Sequence, residues 1–257
     1  MRGARAGRWL PPLALALLVI GLWQLYAVLS GVSESLLPPP SAVAEALWSN
    51  RGLLADNAWV TIGEILLGYA VAAVLGVVLA ALIQSTRLAE HALYPWLVIS
   101  QMVPIPAIAP VIVLWTGFDL RPKVIVIALV SFFPIAVNTI DGLRAADPDL
   151  LRLMRTLRAS RWQRFRSARF PAALPFVFSG LKIAAALAVI GAVFAEWVGA
   201  SEGLGYLILI FNNTTATAEM FAAIAVLAVI GITLFALVNA LERLLLPWYY
   251  QPRLEQG

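Results

Sequence analysis

The side chains of this chain that could do chemistry gather in one segment, Arg144 to Leu174. They suit recognition rather than covalent catalysis. The segment holds eight of the 18 basic residues, all of them arginine. Asp147-Pro148-Asp149 reads as a helix start. Asp147 caps free backbone N–H groups, Pro148 suits the first helical position, and Asp149 complements the positive helix end. Leu150, Leu153, Met154 and Leu157 then recur at helical spacing and form an apolar stripe. Ala159-Ser160 interrupts it. Ser160 can cap a second short helix carrying Arg161, Trp162, Arg164, Phe165, Arg166 and Arg169, which Pro171 and Pro175 end. An apolar stripe framed by cations is a docking surface for another protein. The plainer alternative is a basic loop pressed on anionic lipid headgroups.

Other chemistries lack their residues. With no cysteine and one histidine, His91, the sequence excludes disulfides, thiol catalysis and Cys-ligated metals, and argues against a His-rich metal site or a Ser-His-Asp triad. No catalytic residue and no metal ligand is therefore assigned. An intramembrane protease or lipid transferase would need a convergent nucleophile, base or metal site. No Gly-x-x-x-x-Gly-Lys-Ser/Thr loop occurs, so ATP is not bound here in that way. What remains is a set of polar residues inside apolar stretches, which are functional candidates by default. Glu64 and Glu196 stand near the outer ends of their stretches, where an interfacial position is the alternative. Lys182 either snorkels inward or pairs with Asp141.

The elements that must carry these residues follow from composition. The chain has 257 residues, 61% hydrophobic and 12% charged, about half the charge of a soluble domain. This argues against a soluble enzyme, a disordered regulator and a nucleic-acid-binding domain. A spanning helix needs about 20 apolar residues. Stretches free of Asp, Glu, Lys and Arg run for 25 residues after Arg8, 22 after Glu64, 28 after Glu90, 17 after Lys123 and 22 after Glu219. With Pro175–Val198, apolar except for Lys182 and Glu196, they predict six spans near 10–30, 60–84, 93–115, 123–142, 175–198 and 221–241. The first is too long for a signal peptide and lacks a clean cleavage site, so a retained helix is expected.

Charge orients the spans. With the N-terminus inside, fourteen of the 18 basic residues fall on inner segments, and Arg51, Arg121 and Lys123 fall outside. Both termini are thus expected in the cytoplasm. Trp9, Trp59, Trp96, Trp115, Trp197 and Trp248 fall near span ends, as aromatic belts do. In the outer segment the three prolines from Pro38 to Pro40 stop one helix, and Ala42–Trp48 reads as a short interfacial helix capped by Ser41. The expected organisation is 1–58 for the first helix and external segment, 59–247 for a five-helix core with the loop 144–174, and a cytoplasmic tail 248–257.

Gln101, Pro104, Pro106 and Pro110 mark the third span as broken backbone, acceptable where it is protein-buried or lines a cavity. Gln101, Pro104 and Pro106, with Asn138 of the fourth span and Gly191 and Glu196 of the fifth, are the candidate pathway residues. Gly180, Ala184, Ala188 and Gly191 form a small-residue stripe for close packing around the pathway or at a dimer interface. Gly203 and Gly205 form either a flexible gate or a plain turn. His91, in a short inner loop, reads as solvated.

The segment from Asp147 to Pro175 resembles the cytoplasmic "EAA" loop of bacterial ABC importer permeases: Asp-Pro-Asp-Leu-Leu, then Arg-Thr-Leu-x-Ala-Ser-Arg-Trp-Gln and Phe-Pro-Ala-Ala-Leu-Pro. The resemblance covers nearly the whole chain. It includes Leu37-Pro38-x-Pro40-Ser41, Thr61 with Gly68-Tyr69, Val103-Pro104-x-Pro106, Phe132-Phe133-Pro134 with Asn138-Thr139 and Gly142, and Ala195-Glu196 with Gly199 and Gly203-Leu204-Gly205. The set is similar to the nitrate/sulfonate/taurine type. Val103–Pro106, Asn138–Asp141 and Ala195–Tyr206 look most like permeases for thiamine pyrimidine precursors. Two departures stand out. The family's Glu-Ala-Ala falls at Arg152-Leu153-Met154, and its glycine is Arg158 here. That arginine either keeps helical geometry or takes a strained left-handed one.

The resemblance implies an all-α membrane protein of six transmembrane helices with the type I ABC importer (MetI-like) permease fold. It implies a non-catalytic subunit in the bacterial inner membrane. Its partners would be ABC ATPase subunits carrying ATP and magnesium, a second permease copy, an external solute-binding protein and membrane lipid, with no nucleic acid. The implied ATPase-coupling residues are Leu153, Met154, Thr156, Leu157, Arg158, Ala159, Ser160 and Arg161. The implied cargo is a hydroxymethylpyrimidine-type thiamine precursor, with sulfonate, taurine, nitrate or riboflavin as alternatives. A non-ATP-coupled channel or carrier is the other class.

Overall fold

A computed structural model describes residues 10–250. Arg2, Arg5, Arg8, Trp9, Arg253 and most of the tail 248–257 lie outside the described residues. Among the described residues no strand occurs. In chain order the elements are α1 (Leu10–Leu29), α2 (Pro40–Ser49), α3 (Arg51–Ile83), α4 (Arg87–Ser100), α5 (Ile105–Thr116), α6 (Leu120–Arg144), α7 (Pro148–Thr156) and α8 (Arg161–Arg164). A π turn, Phe165–Arg169, joins α8 to α9 (Phe170–Trp197), followed by α10 (Leu204–Asn213), α11 (Thr217–Leu245) and α12 (Pro247–Tyr250). Five helical runs are long and apolar enough to cross a membrane: α1, α3, α6, the run Arg161–Trp197, and α11. The pair α4 and α5, bent by 96°, makes up to six.

The bend replaces the single span expected at 93–115. Pro104 caps α5 without an N–H to give, and Pro106 sits in its first turn, so α4 cannot propagate through Gln101–Pro104. The second span is longer than expected, because α3 starts at Arg51 and passes position 58 without a break. The expected helix near Ala42–Trp48 is present, but Ser41 lies inside it and does not cap it; Pro40 takes the first helical position and Pro39 is the N-cap. Ser41 instead bonds Gln24 of α1 twice, its N–H donating to Oε1 at 3.0 Å and its Oγ accepting from Nε2 at 3.1 Å. The helix is also not merely interfacial: Val43 and Ala46 are buried in a cluster with α10 and α11. α1 has a single buried residue, Ala27, among its twenty.

The core is a three-helix crossing centred on α6. Lipid tails are as apolar as leucine, so helices in a membrane associate through close packing at small residues. A Cβ built on Gly68 or Gly76 of α3 would strike Ile127 or Ile135 of α6. On the other side of α6, Gly180 of α9 lies against the Pro134 carbonyl and Ile135, and Gly191 against Ile127. Matching positions rise together in α3 and α6 and run oppositely in α6 and α9. These pairings fix α3 and α6 as parallel and α9 as antiparallel. The small-residue stripe Gly180, Ala184, Ala188 and Gly191 is therefore an intrachain packing seam, with Ala184 and Ala188 fully buried. It is spent inside the chain and not at a dimer interface.

The second expected helix of the basic segment does not end at Pro171. It continues through the π turn into α9, where Phe170 N–H bonds the Phe165 carbonyl five residues back. The wider turn lets the chain pass a residue that has no donor. The arginine-bearing segment and the fifth span are thus one continuous rod of 37 residues.

Candidate functional site

One end of the bundle carries the basic segment. Asp147 caps α7, accepting from the Asp149 N–H at 2.8 Å. α7 buries none of its residues. Leu150 is 43% exposed, Leu153 56% and Leu157 72%. Apolar side chains this open, on a capped helix, form a surface shaped before any partner arrives. Met154 and Ala159 are half-buried, while Thr156, Ser160 and Arg161 are exposed. Ser160 and Gln163 form a reciprocal capping box, with bonds of 3.2 and 2.7 Å, so α8 starts as the spacing foretold.

Between the two helices Arg158 takes the strained branch, with φ at 57°. Its N–H bonds the Arg155 carbonyl at 2.9 Å, and the Ala159 N–H bonds the Met154 carbonyl at 2.9 Å. This pair of bonds is a Schellman end, which glycine normally closes. A side chain in left-handed geometry costs about 1–2 kcal/mol. Arg158→Gly is therefore expected to stabilise the chain by roughly 1 kcal/mol, read as a raised thermal midpoint in detergent. A lowered midpoint would show that the arginine side chain makes up for its backbone.

The opposite end holds a buried polar cradle. Glu196, 1% exposed, ends α9 against the start of α10. Its carboxylate accepts from the Thr61 hydroxyl at 2.7 Å and from the Gly205 and Tyr206 N–H groups at 2.6 and 3.1 Å. The carboxylate thus occupies the positive end of α10 and satisfies donors the helix cannot satisfy itself. The Leu204 N–H donates to Thr61 Oγ1 at 2.9 Å, and the Gly203 N–H to Asn57 Oδ1 at 2.7 Å. Gly203 has φ 114°, and a Cβ there would fall inside the Glu196 carboxylate. The two glycines thus sit in a hydrogen-bonded turn rather than in a loose loop.

Next to the cradle Glu64, 2% exposed, pairs with Lys123, 8% exposed, at 2.5 Å. Neither carboxylate sits at an open interface. Glu64 is close enough to Glu196 for their charges to interact. A second pair joins Lys182 of α9 to Glu242 of α11 at 2.8 Å. Lys182 therefore does not pair with Asp141. Asp141 lies 3.7 Å from Arg144, and Arg144 also holds Glu90. Rotation decides this: the lysine faces α11, not α6.

The remaining expected residues separate. Gln101, Pro104 and Pro106 lie exposed at the α4–α5 break. Asn138 is half-buried, donates to its own helix at the Pro134 carbonyl at 2.8 Å, and packs beside Gly180. Gly191 lies under Ile127. Only Glu196, Gly203 and Gly205 are brought together. Nothing in the sequence assigns a partner to Asn57, Lys123 or Glu242. Their partners lie 146, 59 and 60 residues away, and no local spacing announces them. Among the described residues no group of His, Cys, Asp and Glu is arranged to hold a metal.

Comparison with known proteins points one way. A family model described as "Binding-protein-dependent transport system inner membrane component" matches residues 72–249. The chain is 37% identical to the formylaminopyrimidine transport permease protein ThiX of Halalkalibacterium halodurans, over 95% of this chain and 98% of that one. It is 39% identical to the riboflavin transport system permease protein RibX of Chloroflexus aurantiacus, over 92% of this chain and 89% of that one. Its fold is similar to that of a chain in the solved inward-facing MetNI methionine ABC transporter. That match has a TM-score of 0.65 and 20% identity, and covers 75% of this chain and 96% of that one.

Proposed function

Because this chain belongs to the family of binding-protein-dependent transport system inner membrane components, we propose that it forms the pathway for a thiamine pyrimidine precursor and is driven by a separate ATPase docked on α7. The chain is an ABC importer permease and a multi-pass membrane protein; its relatives are permeases, not the ATPase. ATP and magnesium belong to the partner ATPase in this reading. A second permease copy completes the pathway, and an external binding protein delivers the cargo. Both termini face the cytoplasm, because the basic end of the bundle then lies inside.

The observation that carries the ATPase reading is the open face of α7, with no buried residue. Leu153, Met154, Thr156, Leu157, Arg158, Ala159, Ser160 and Arg161 form the docking edge. Because α8 is continuous with α9, displacing this edge moves a whole span as a rigid body. Gln101, Pro104, Pro106 and Asn138 remain the pathway assignment, since interrupted backbone belongs beside a cavity. Gly191 and Glu196 act instead by holding α6, α9 and α10 in register.

For the cargo, the supporting fact is near full-length similarity to a permease named for formylaminopyrimidine transport. Riboflavin is the second reading, favoured by the match to RibX, nearly as extensive and 39% identical. A strain unable to make the thiamine pyrimidine, with this chain deleted, is expected to need far more external precursor to grow. Unimpaired growth on limiting pyrimidine, with impaired growth of a riboflavin auxotroph, would transfer the assignment to riboflavin.

A further inference from the structure

Beneath α7 lies a cavity of about 550 Å³ lined by Arg155, Arg161, Arg164 and Arg169. No carboxylate lines it. None of the four arginines forms an ion pair among the described residues. One buried donor there, Arg164 Nε, has no hydrogen-bond partner, and the Gln84 amide nearby lies within reach of Glu90. A buried donor without an acceptor, beside uncompensated cations, is complementary to an anion rich in acceptors. The rest of the wall is apolar, including Leu151, Trp162 and Phe165. Gln84 follows α3, Leu143 is the last residue but one of α6, and Arg169 leads into α9. The cavity therefore sits where three spans end, at the depth of phospholipid headgroups.

We propose that this cavity is a discrete site for the headgroup of an anionic phospholipid. The arginines take the phosphate oxygens. The apolar wall lies against the glycerol and the first methylenes. This differs from diffuse attraction of a basic loop to a membrane, which needs neither a cavity nor an orphaned donor. The site has a mechanical consequence. α7 buries nothing of its own, and its Leu151 and Arg155 face the cavity. An occupied site braces α7 against the ends of α3 and α6.

The same chemistry would accept inorganic phosphate, so the test separates the two sources. The full chain, purified with its ATPase in mild detergent, is delipidated and placed in nanodiscs of phosphatidylcholine with or without phosphatidylglycerol. Retained lipid is measured by mass spectrometry after detergent exchange. The wild type is expected to retain phosphatidylglycerol, and Arg164→Gln and Arg169→Gln each to lower retention roughly fivefold. Arg166→Gln, exposed and outside the cavity wall, should leave it unchanged. Arg164→Lys, which keeps the charge, should lose less than the glutamine variant at an equal melting midpoint, so misfolding cannot imitate the result. Equal retention in all variants overturns the proposal. Displacement by millimolar inorganic phosphate overturns it in favour of a soluble anion, and lipid retention only after the ATPase is stripped from the complex overturns it in favour of an acidic side chain of that partner. The readout is lipid binding, so it stands even if ATPase docking on α7 fails its own test.

Discussion

Replacing Leu157 with aspartate is expected to lower transport by roughly 30- to 1000-fold while costing the isolated chain no more than about 1 kcal/mol, the cost range of a lost interface anchor being about 2–4 kcal/mol. The asymmetry follows from where the residue sits. Leu157 is 72% exposed at the C-terminal cap of α7, so little apolar contact is lost within the chain. An aspartate at the negative end of α7 costs the isolated chain about 0.3–1 kcal/mol, well below the interface loss. In a docked complex the same side chain is dehydrated, and an aspartate there has no partner to offset its burial. Two measurements check this: recovery of the ATPase with a tagged chain, and uptake in membrane vesicles. Leu36→Asp, 75% exposed outside the basic segment, serves as the control. A complex that survives Leu157→Asp with full uptake would remove α7 as the docking element.

The second large effect lies at the other end, where Glu196→Ala should cost about 3–5 kcal/mol and Glu196→Gln about 1 kcal/mol, on the rule that each orphaned buried donor costs 1–3 kcal/mol. Alanine strands the Gly205 and Tyr206 N–H groups and leaves the Thr61 hydroxyl only the Asn57 carbonyl, at 3.2 Å. Glutamine can turn its carbonyl toward the two N–H groups and its amide toward Thr61, so the cradle stays nearly satisfied. The thermal midpoint of the purified chain reads the difference. Gly203→Ala is an independent check, since it needs both a positive φ and the space of the carboxylate. If Glu196→Ala melts within a degree of the wild type, the cradle is not what anchors α10 to α3 and α9.

Much of this was legible beforehand because the signals are local. Stretches of about 20 uncharged apolar residues have one stable solution in lipid, a helix that satisfies its own backbone. Asp147, Pro148, Ser160 and Gln163 act within three residues of themselves, so both helix starts of the basic segment could be read directly. The family could be read for the same reason, since its motifs are contiguous. α10 was not anticipated: its apolar run is too short to span and follows a turn, and its burial depends on α2 and α11 closing over it. Pro171 reads as a helix stop in the sequence, and only the wider π turn at Phe165–Arg169 carries the helix past it.

The sequence by itself determined that the chain spans a membrane, which segment gathers the basic residues, and that the third span carries helix-breaking prolines. These rest on composition and on spacings of a few residues. Only the tertiary structure decided which charges meet. Lys182 faces Glu242 and not Asp141, Lys123 faces Glu64, and Glu196 reaches across to Thr61. Each outcome depends on the rotation of one helix about its axis and its depth against the next. Those are set by glycines on α3 and α9 that let backbones close on α6. A periodic pattern says that a helix has a face, and only packing says what that face meets.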